Sequence, residues 1–340
     1  MFSRRVQSWL VALSDPNGPR QPLPERPLRG GQAEQLVKLA DRHSVLPAVA
    51  ANLRRAAQAG GLAAGAAPEL ESAMEWANER LLRRTALSLA IRGQLAEIGA
   101  AFAGRDLAAV AIKGADFGDR LYPAPALRPF TDLDLLVPAR CLAGAEEVMS
   151  RLGYAAGSAA MKYGTGYAQR SWRRPDRLGG TVEIHWNLVN SPTVRRGVSV
   201  EFDDLRMEAA PAGWRLPRPD ASSLLLIAAV HGAASHAFDR LQLLWDVCQA
   251  AAGAAGKPDE DWLAEAASRT GSSTALAAAL DLAERVLARP ACGELISRLR
   301  LRRPGAALRA TLTRGVVLRT HWYFDSFRRQ IFRQLLKKRR

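Results

Sequence analysis

Two aspartates that lie two residues apart in an apolar segment are the residues of this 340-residue chain whose type and spacing best fit chemistry. Asp132 and Asp134 occur within the run Phe130–Val137. In a β-strand both carboxylates point to one face, while Leu133 and Leu135 point into a core. Their backbones would lie about 6.6 Å apart, which lets both carboxylates contact a pair of divalent cations about 3.5–4 Å apart, as in phosphoryl transfer. Because carboxylates in apolar strands are costly unless neutralised, the spacing predicts a metal site.

The segments around the aspartate pair are predicted to alternate between strand and helix. Leu107–Ile112 is a short apolar run that predicts a buried strand, and Gly114 opens a helix. Phe130–Val137 then predicts a second strand. Thr181–Val189 predicts a third strand, because apolar and polar residues alternate along it. This order brings a third carboxylate, that of Glu183, into a neighbouring strand.

Helical patterns precede and follow this region. From Gln32 to about Ala103, and again after about Pro219, apolar residues recur at three- and four-residue spacing. Residues 157–180 predict a loop-rich segment. We therefore predict an α+β fold with a small mixed β-sheet core flanked by N-terminal helices and a C-terminal helical bundle. The predicted divisions are an N-terminal helical region (1–104), the core (105–215), the bundle (216–297) and a basic amphipathic segment (298–340).

The net charge of +15 is concentrated at the C-terminus. Residues 298–340 contain 12 Arg and 2 Lys against one acid, a net charge of +13, so the other 297 residues carry only +2. The end of this segment predicts a basic amphipathic helix, whose apolar stripe consists of Phe324, Phe327, Ile331 and Leu335. Such a helix can dock on the protein body, track a nucleic acid backbone or lie on an anionic membrane. All three interpretations are open at this point.

The apolar runs are too short for a membrane-spanning helix. None approaches the 18 residues that such a helix needs. The apolar stretch near the N-terminus is interrupted by Gln7 and Ser8, which is unlike a secretory signal. We therefore expect a cytoplasmic protein.

Several short motifs occur in a fixed order along the chain. They are Lys113-Gly114, Leu121-Tyr122, Arg128, Asp132-Leu133-Asp134-Leu135-Leu136-Val137, Gly153-Tyr154 and Glu183-Ile184-His185-Trp186. This order resembles the polymerase-beta-like nucleotidyltransferase superfamily and, more closely, the bacterial family labelled uncharacterised nucleotidyltransferase, over roughly residues 35–250. The resemblance implies transfer of a nucleotidyl group from a nucleoside triphosphate to an acceptor hydroxyl, with Mg²⁺ (or Mn²⁺) as cofactor. The sequence does not identify the nucleotide or the acceptor.

The resemblance assigns the metal site to three carboxylates. Asp132, Asp134 and Glu183 would be the catalytic metal ligands, and Glu183 would complete the site or draw the proton from the attacking hydroxyl. His185 lies on the same strand face as Glu183 and would contact the substrate or orient the glutamate. A purely structural histidine is the alternative for His185.

The resemblance assigns phosphate binding to the turn that follows the first strand. Gly114 allows close backbone approach to a phosphate, and Lys113 would act there as a point charge. Arg128 would offset charge on the transferring phosphoryl group. Ala115 stands where a serine is usual and removes a hydroxyl that would hold the γ-phosphate. A non-catalytic relative that binds a nucleotide or a partner is therefore an open alternative.

Overall fold

The computed structural model describes residues 2–20, 22–28, 31–58, 67–157, 166–175, 178–210, 213–319 and 323–337. The helices before and within the sheet region are α1 (Arg4–Leu13), α2 (Gln32–Arg42), α3 (Leu46–Gln58), α4 (Ala67–Ala103), α5 (Ala115–Leu121), α6 (Leu142–Arg151) and α7 (Pro192–Arg195). The helices that follow are α8 (Ala221–Val230), α9 (Leu241–Ala251), α10 (Glu260–Arg269), α11 (Ser273–Leu287), α12 (Pro290–Arg298), α13 (Ala306–Thr311), α14 (Arg314–Leu318) and α15 (Tyr323–Leu335). A π-helical turn, His231–His236, extends α8.

A small mixed sheet lies in the middle of the chain. Its strands are β1 (Val110–Ala111), β2 (Asp132–Leu136), β3 (Ala155–Ala156), β4 (Gln169–Arg173) and β5 (Thr181–His185). They are arranged in the order β1-β2-β5-β4-β3. β2 and β5 are parallel, and the other pairs are antiparallel. A separate two-stranded sheet pairs β6 (Met207–Glu208) with β7 (Arg218–Pro219). The prediction of a mixed α/β fold with a small mixed sheet is confirmed.

The predicted strands differ from the observed ones mainly in length. The run predicted from Leu107 is a strand only at Val110–Ala111, and β5 ends at His185. The prediction that residues 157–180 form loop was wrong for Gln169–Arg173, which is β4. Its sequence QRSWR has no apolar alternation, and it forms a strand because it pairs with β5. Residues 158–165 and 176–177 lie outside the described part of the chain.

Helix α4 supports the sheet at the start of β5. Its buried Gln94 accepts a hydrogen bond at 2.8 Å from the backbone N–H of Gly180, directly before β5. The amide nitrogen of Gln94 donates to the Tyr154 hydroxyl at 3.0 Å. Apolar residues in the second half of α4, among them Ile91 and Ile98, pack in one core with the inward side chains of the sheet. Although α4 has 37 residues, no described helix has the combination of length and apolarity needed to cross a bilayer.

The C-terminal helix α15 docks on the protein body. Phe332 and Leu336 are fully buried in the larger core, and the Phe332 ring meets that of Phe238 edge to face, with 6.4 Å between centroids. The predicted stripe was wrong at Phe327, which is 58% exposed. The side chain of Phe324 lies outside the described part. Docking therefore accounts for the contacts of this helix, while the nucleic acid and membrane interpretations stay predictions.

The basic side of α15 also contributes to its docking. Two Arg329 nitrogens donate to backbone carbonyls, those of Ala237 at 3.1 Å and Val316 at 2.9 Å. Arg333 donates to the Ser235 carbonyl at 3.0 Å. The helix thus buries one face on which Phe332 alternates with arginines. A prediction from apolar residues alone places the buried face one position too early along the helix, because it assumes that every arginine is exposed to water.

A buried histidine joins three distant segments of the chain. The Nδ1 atom of His43 accepts a hydrogen bond at 3.3 Å from the backbone N–H of Leu241, at the start of α9. Its Nε2 atom donates to the Leu318 carbonyl at 3.3 Å. This pattern requires the neutral ring. Burial lowers the pKa of His43 to about 4 from the usual value of 6.5, although the bond to Leu318 acts in the opposite direction.

We expect His43 to make the protein less stable in acid. The native state binds this proton only near its lowered pKa of about 4, whereas the unfolded chain binds it near 6.5. The contribution of neutral His43 to the free energy of unfolding is therefore complete above about pH 7 and is lost as the pH falls toward 4. At about pH 5, the free energy of unfolding should be lower by about 2 kcal/mol. Urea unfolding at about pH 7.5 and about pH 5 checks this. His43→Gln should show a smaller pH dependence than the parent. Equal pH dependence in the two proteins would contradict the assignment.

Candidate active site

Two parallel neighbouring strands bring the predicted carboxylates together. β2 and β5 pair in a register that sets Asp132 opposite Thr181 and Asp134 opposite Glu183. Leu133 lies between the two aspartates and is buried in the core on the other face of the sheet. The alternation of side chains therefore directs both aspartates and Glu183 to one face.

Asp134 is at the centre of the cluster and is buried. Its Oδ1 atom lies 3.0 Å from Lys113 Nζ and 3.0 Å from His185 Nε2. Its Oδ2 atom is buried and has no hydrogen-bond partner among the residues that the structure describes. An ionised carboxylate oxygen without a donor is costly in a protein interior. The unpartnered oxygen therefore marks a place where a cation would be stabilised.

The other two carboxylates are more accessible. One ligand atom from each of Asp134, Glu183 and His185 can be chosen so that all three lie within 4.8 Å of one another, an arrangement able to hold a metal ion. Asp132 is not in that group. Its Oδ2 atom lies 3.5 Å from Lys113 Nζ, and its side chain is 36% exposed at the cleft. Lys113 thus bridges the two aspartates, and the assignment of Asp132 as a metal ligand stays a prediction.

His185 is held within the cluster by a chain of hydrogen bonds. Its Nε2 atom lies 3.6 Å from Glu183 Oε2 as well as near Asp134, and its Nδ1 atom donates to Asn190 Oδ1 at 3.1 Å. Asn190 in turn donates to Gln169 Oε1. Burial acts to lower the pKa of His185, but the bonds to Asp134 and Glu183 prevail and raise it to about 9. The imidazole is therefore cationic at neutral pH and donates from both nitrogens.

Glu183 and Lys113 stabilise each other's charged forms. Burial would raise the pKa of Glu183, but the hydrogen bond to His185 and the charge of Lys113 lower it overall. Burial would lower the pKa of Lys113, but the charges of Asp134, Asp132 and Glu183 raise it overall. Three carboxylates against two cations leave one negative charge. This charge state and the hard oxygen donors suit a divalent cation such as Mg²⁺ or Mn²⁺.

Gly114 forms the turn that delivers Lys113 to the carboxylates. Its φ of 63° and ψ of −116° lie in a region that side chains with a Cβ rarely adopt. A Cβ there would lie 3.6 Å from the Asp132 carbonyl oxygen and 3.6 Å from the Phe130 ring. Space is therefore sufficient, and backbone conformation is what requires glycine. Ala115, which begins α5, is buried and offers no hydroxyl.

We expect Gly114→Ala to destabilise the protein by about 1–3 kcal/mol, because alanine is strained at this φ and ψ. Gly93→Ala is the matched control: Gly93 lies within α4, and a Cβ added there would have nothing within 4 Å. There the same substitution should stabilise the helix, by up to about 1 kcal/mol. Urea unfolding of both variants checks the opposite signs. An unchanged free energy of unfolding in Gly114→Ala would show that the turn can accommodate alanine without strain.

Arg128 is buried and bonded to other parts of the protein. Its Nε and Nη2 atoms donate to the two carboxylate oxygens of Asp246 in α9, each at 2.8 Å. A third nitrogen donates to the Gly114 carbonyl at 3.3 Å. Tyr122 also donates to Asp246, at 2.7 Å. The observed role of Arg128 is to fix the Gly114 turn against α9, and its predicted contact with phosphate stays a prediction.

The cleft beside this turn has a wall that comes from the helical part of the chain. Lys113, Gly114 and Asp132 line it together with His231 and Arg240. His231 belongs to the π-helical turn, and Arg240 directly precedes α9. The sequence offered a weak signal, because the family resemblance over roughly residues 35–250 includes both residues. Asn190 and Gln169 gave no signal, since their role depends on contacts between strands.

One family of known proteins matches most of the chain. The family described as "Uncharacterised nucleotidyltransferase" matches residues 30–288, which is more than half of the chain and includes every residue of the carboxylate cluster. No curated protein and no solved structure gives a significant match. From the extent of the family match, the chain belongs to the uncharacterised nucleotidyltransferase family.

Proposed function

We propose that the protein transfers a nucleotidyl group from a nucleoside triphosphate to an acceptor hydroxyl, with Mg²⁺ or Mn²⁺ held by Asp134, Glu183 and Asp132. The observation that carries this proposal is the unpartnered Asp134 Oδ2, buried beside Glu183 on the adjoining parallel strand. When bound, the metal would polarise the phosphoryl oxygens and lower the pKa of the attacking hydroxyl. Family membership supports the reaction class.

The side chains around the metal ligands have separate roles in this proposal. Glu183 is ionised and partly exposed, so it can accept the hydroxyl proton and bind the cation. Lys113 lies at the cleft, with its side chain 12% exposed, where its charge would stabilise an entering phosphate. His185, anchored by Asn190, fixes the positions of the two carboxylates. Gly114 and Arg128 set the turn that carries the lysine.

The test combines binding with product analysis. The full chain is incubated with each labelled triphosphate, Mg²⁺ or Mn²⁺ and the small-molecule fraction of a bacterial extract, and labelled products are identified by mass spectrometry. Transfer predicts a labelled acceptor and released pyrophosphate. In parallel, Mn²⁺ with the productive triphosphate should raise the unfolding midpoint. Pyrophosphate release without any labelled acceptor would argue against transfer.

Ala115 supports a second candidate function, in which the protein binds a nucleotide without turnover. The buried alanine removes the hydroxyl expected at the phosphate turn. This candidate predicts the same rise in unfolding midpoint with no labelled product from any triphosphate. Ala115→Ser discriminates further, because restoring the hydroxyl should tighten triphosphate binding if the turn holds the γ-phosphate. No change in affinity would place the γ-phosphate elsewhere.

A further inference from the structure

A second, strongly cationic pocket lies next to the candidate active site. It has a volume of about 420 Å³, within the range of small-ligand sites. Its charged and histidine lining consists of Arg42, His236, Asp239, Arg240, Arg319, Asp325, Arg329 and Arg333. Five arginines against two aspartates leave three positive charges when His236 is neutral. A concave surface with this excess attracts anions.

The arginines of α15 are positioned by neutral groups. Arg329 and Arg333 bond the backbone carbonyls of Ser235, Ala237 and Val316, which orient the guanidinium groups without neutralising them. Burial lowers the pKa of Arg329, and the attraction of Asp239 does not restore it. A bound anion would offset this cost. The positive charge of the pocket is therefore ordered before any ligand arrives.

The cationic pocket adjoins the cleft of the carboxylate cluster. Arg240 lines both cavities. His231 lines the cleft and His236 lines the pocket, and their rings meet edge to face with 4.6 Å between centroids. A molecule that extends from the pocket into the cleft would have one end near Lys113 and Asp132. That is the place from which an acceptor hydroxyl would approach a nucleotide bound at the turn.

Guanidinium groups match the geometry of phosphate oxygens and form paired, charge-assisted hydrogen bonds with them. A polynucleotide needs a continuous cationic track, whereas Arg329 and Arg333 are turned into one concave pocket. The geometry therefore favours a small ligand. Arg319, Arg329 and Arg333 also lie beyond the family match, which ends at residue 288. These three arginines therefore come from a C-terminal segment that the family match does not include.

We propose that this pocket binds a phosphate group of the acceptor, so that the acceptor is a small phosphate-bearing molecule that carries a free hydroxyl. This assignment of substrate class rests on the proposed function, whereas phosphate binding by the pocket does not depend on it.

The pocket is tested by calorimetric titration of the full chain with inorganic pyrophosphate in the presence of EDTA, which excludes metal-dependent binding of pyrophosphate at the carboxylate cluster. Arg333→Gln, in α15, and Arg240→Gln, directly before α9, should each weaken binding at least about 10-fold, the effect of losing one charge-assisted contact. Arg328→Gln is the matched control, since Arg328 is exposed on the same helix. Unfolding midpoints of all variants show whether each one is folded.

Three titration results would overturn the pocket assignment. The first is that the parent does not bind pyrophosphate. The second is that Arg328→Gln weakens pyrophosphate binding as much as the two pocket variants do. The third is that Lys113→Gln weakens pyrophosphate binding while Arg333→Gln and Arg240→Gln retain it. A single-stranded RNA that binds more tightly than pyrophosphate, and that weakens equally in Arg328→Gln and Arg333→Gln, would replace the small ligand with a polynucleotide.

The acceptor class is tested by treating the extract fraction with immobilised phosphatase, which is removed before the triphosphate is added. A phosphate-bearing acceptor predicts loss of the labelled product. Labelling that survives phosphatase would overturn the acceptor class and leave nucleotidyl transfer intact. No labelling in any reaction would reject the proposed function and the acceptor class together, and the pyrophosphate titration would then decide the pocket alone.

Discussion

Asp134→Asn should reduce nucleotidyl transfer at least about 100-fold and abolish the rise in unfolding midpoint caused by Mn²⁺ with a triphosphate. Asp134 contributes the one buried carboxylate of the cluster, and no described residue donates a hydrogen bond to its Oδ2 atom. An amide carries no charge to attract a cation. The side chain keeps its shape, so the loss would report charge rather than packing. Product formation and midpoints with and without metal are the measurements.

The control for this experiment is Asp203→Asn. Asp203 pairs with Arg140 on the surface, far from β2 in the chain, and its side chain is 65% exposed. This variant should keep transfer and the metal-dependent midpoint shift. Because Asp134→Asn also leaves Lys113 and His185 with less counter-charge, the midpoint without metal separates misfolding from lost binding. Retention of more than about a tenth of the activity would remove Asp134 from the metal site.

Arg128→Met should lower the free energy of unfolding by about 3–5 kcal/mol, since it leaves the Asp246 carboxylate buried without its cation. Among the described residues, only the Tyr122 hydroxyl would still donate to that carboxylate. Adding Asp246→Asn removes the isolated charge and keeps an acceptor for Tyr122. The double variant should therefore recover much of the loss. Urea unfolding of the two single variants and the double variant gives the coupling energy.

The same double variant separates the two roles of Arg128. If Arg128 only fixes the Gly114 turn, restored stability should bring a modest change in triphosphate affinity. If it contacts phosphate, affinity should fall just as far as in the single variant. Arg140→Met removes an arginine from the exposed Arg140–Asp203 pair and should leave stability nearly unchanged. A similar loss in Arg140→Met would show that the effect is not due to burial.

The sequence predicts those features of the site that follow from the alternation of side chains along a single strand. Asp132, Asp134 and Glu183 stand in short strands whose period of two fixes the face of each carboxylate. The register that sets Asp134 opposite Glu183 joins residues about fifty positions apart, and it follows from the topology of the sheet. Family resemblance supplied that long-range information here, because spacing within one strand does not contain it.

The partners of the charged residues were beyond local reasoning. Arg128 looked free for phosphate because Asp246, which binds it, lies 118 residues later. β4 was missed because its pattern is polar and its strand character comes from β5. In α15, hydropathy alone placed the exposed Phe327 on the buried face and left out Arg329, which backbone carbonyls hold there. In each case a long-range polar contact outweighed the local preference of the sequence.

The π-helical turn at His231–His236 changes which residues of this segment share a face. A regular α-helix would set two residues five positions apart about 140° from each other around the axis. The i→i+5 hydrogen bonds of the π-helical turn instead bring such positions together. The rings of His231 and His236 therefore meet at the boundary between the two cavities, with 4.6 Å between centroids. Regular helical winding at this point would separate the two rings and remove that boundary contact.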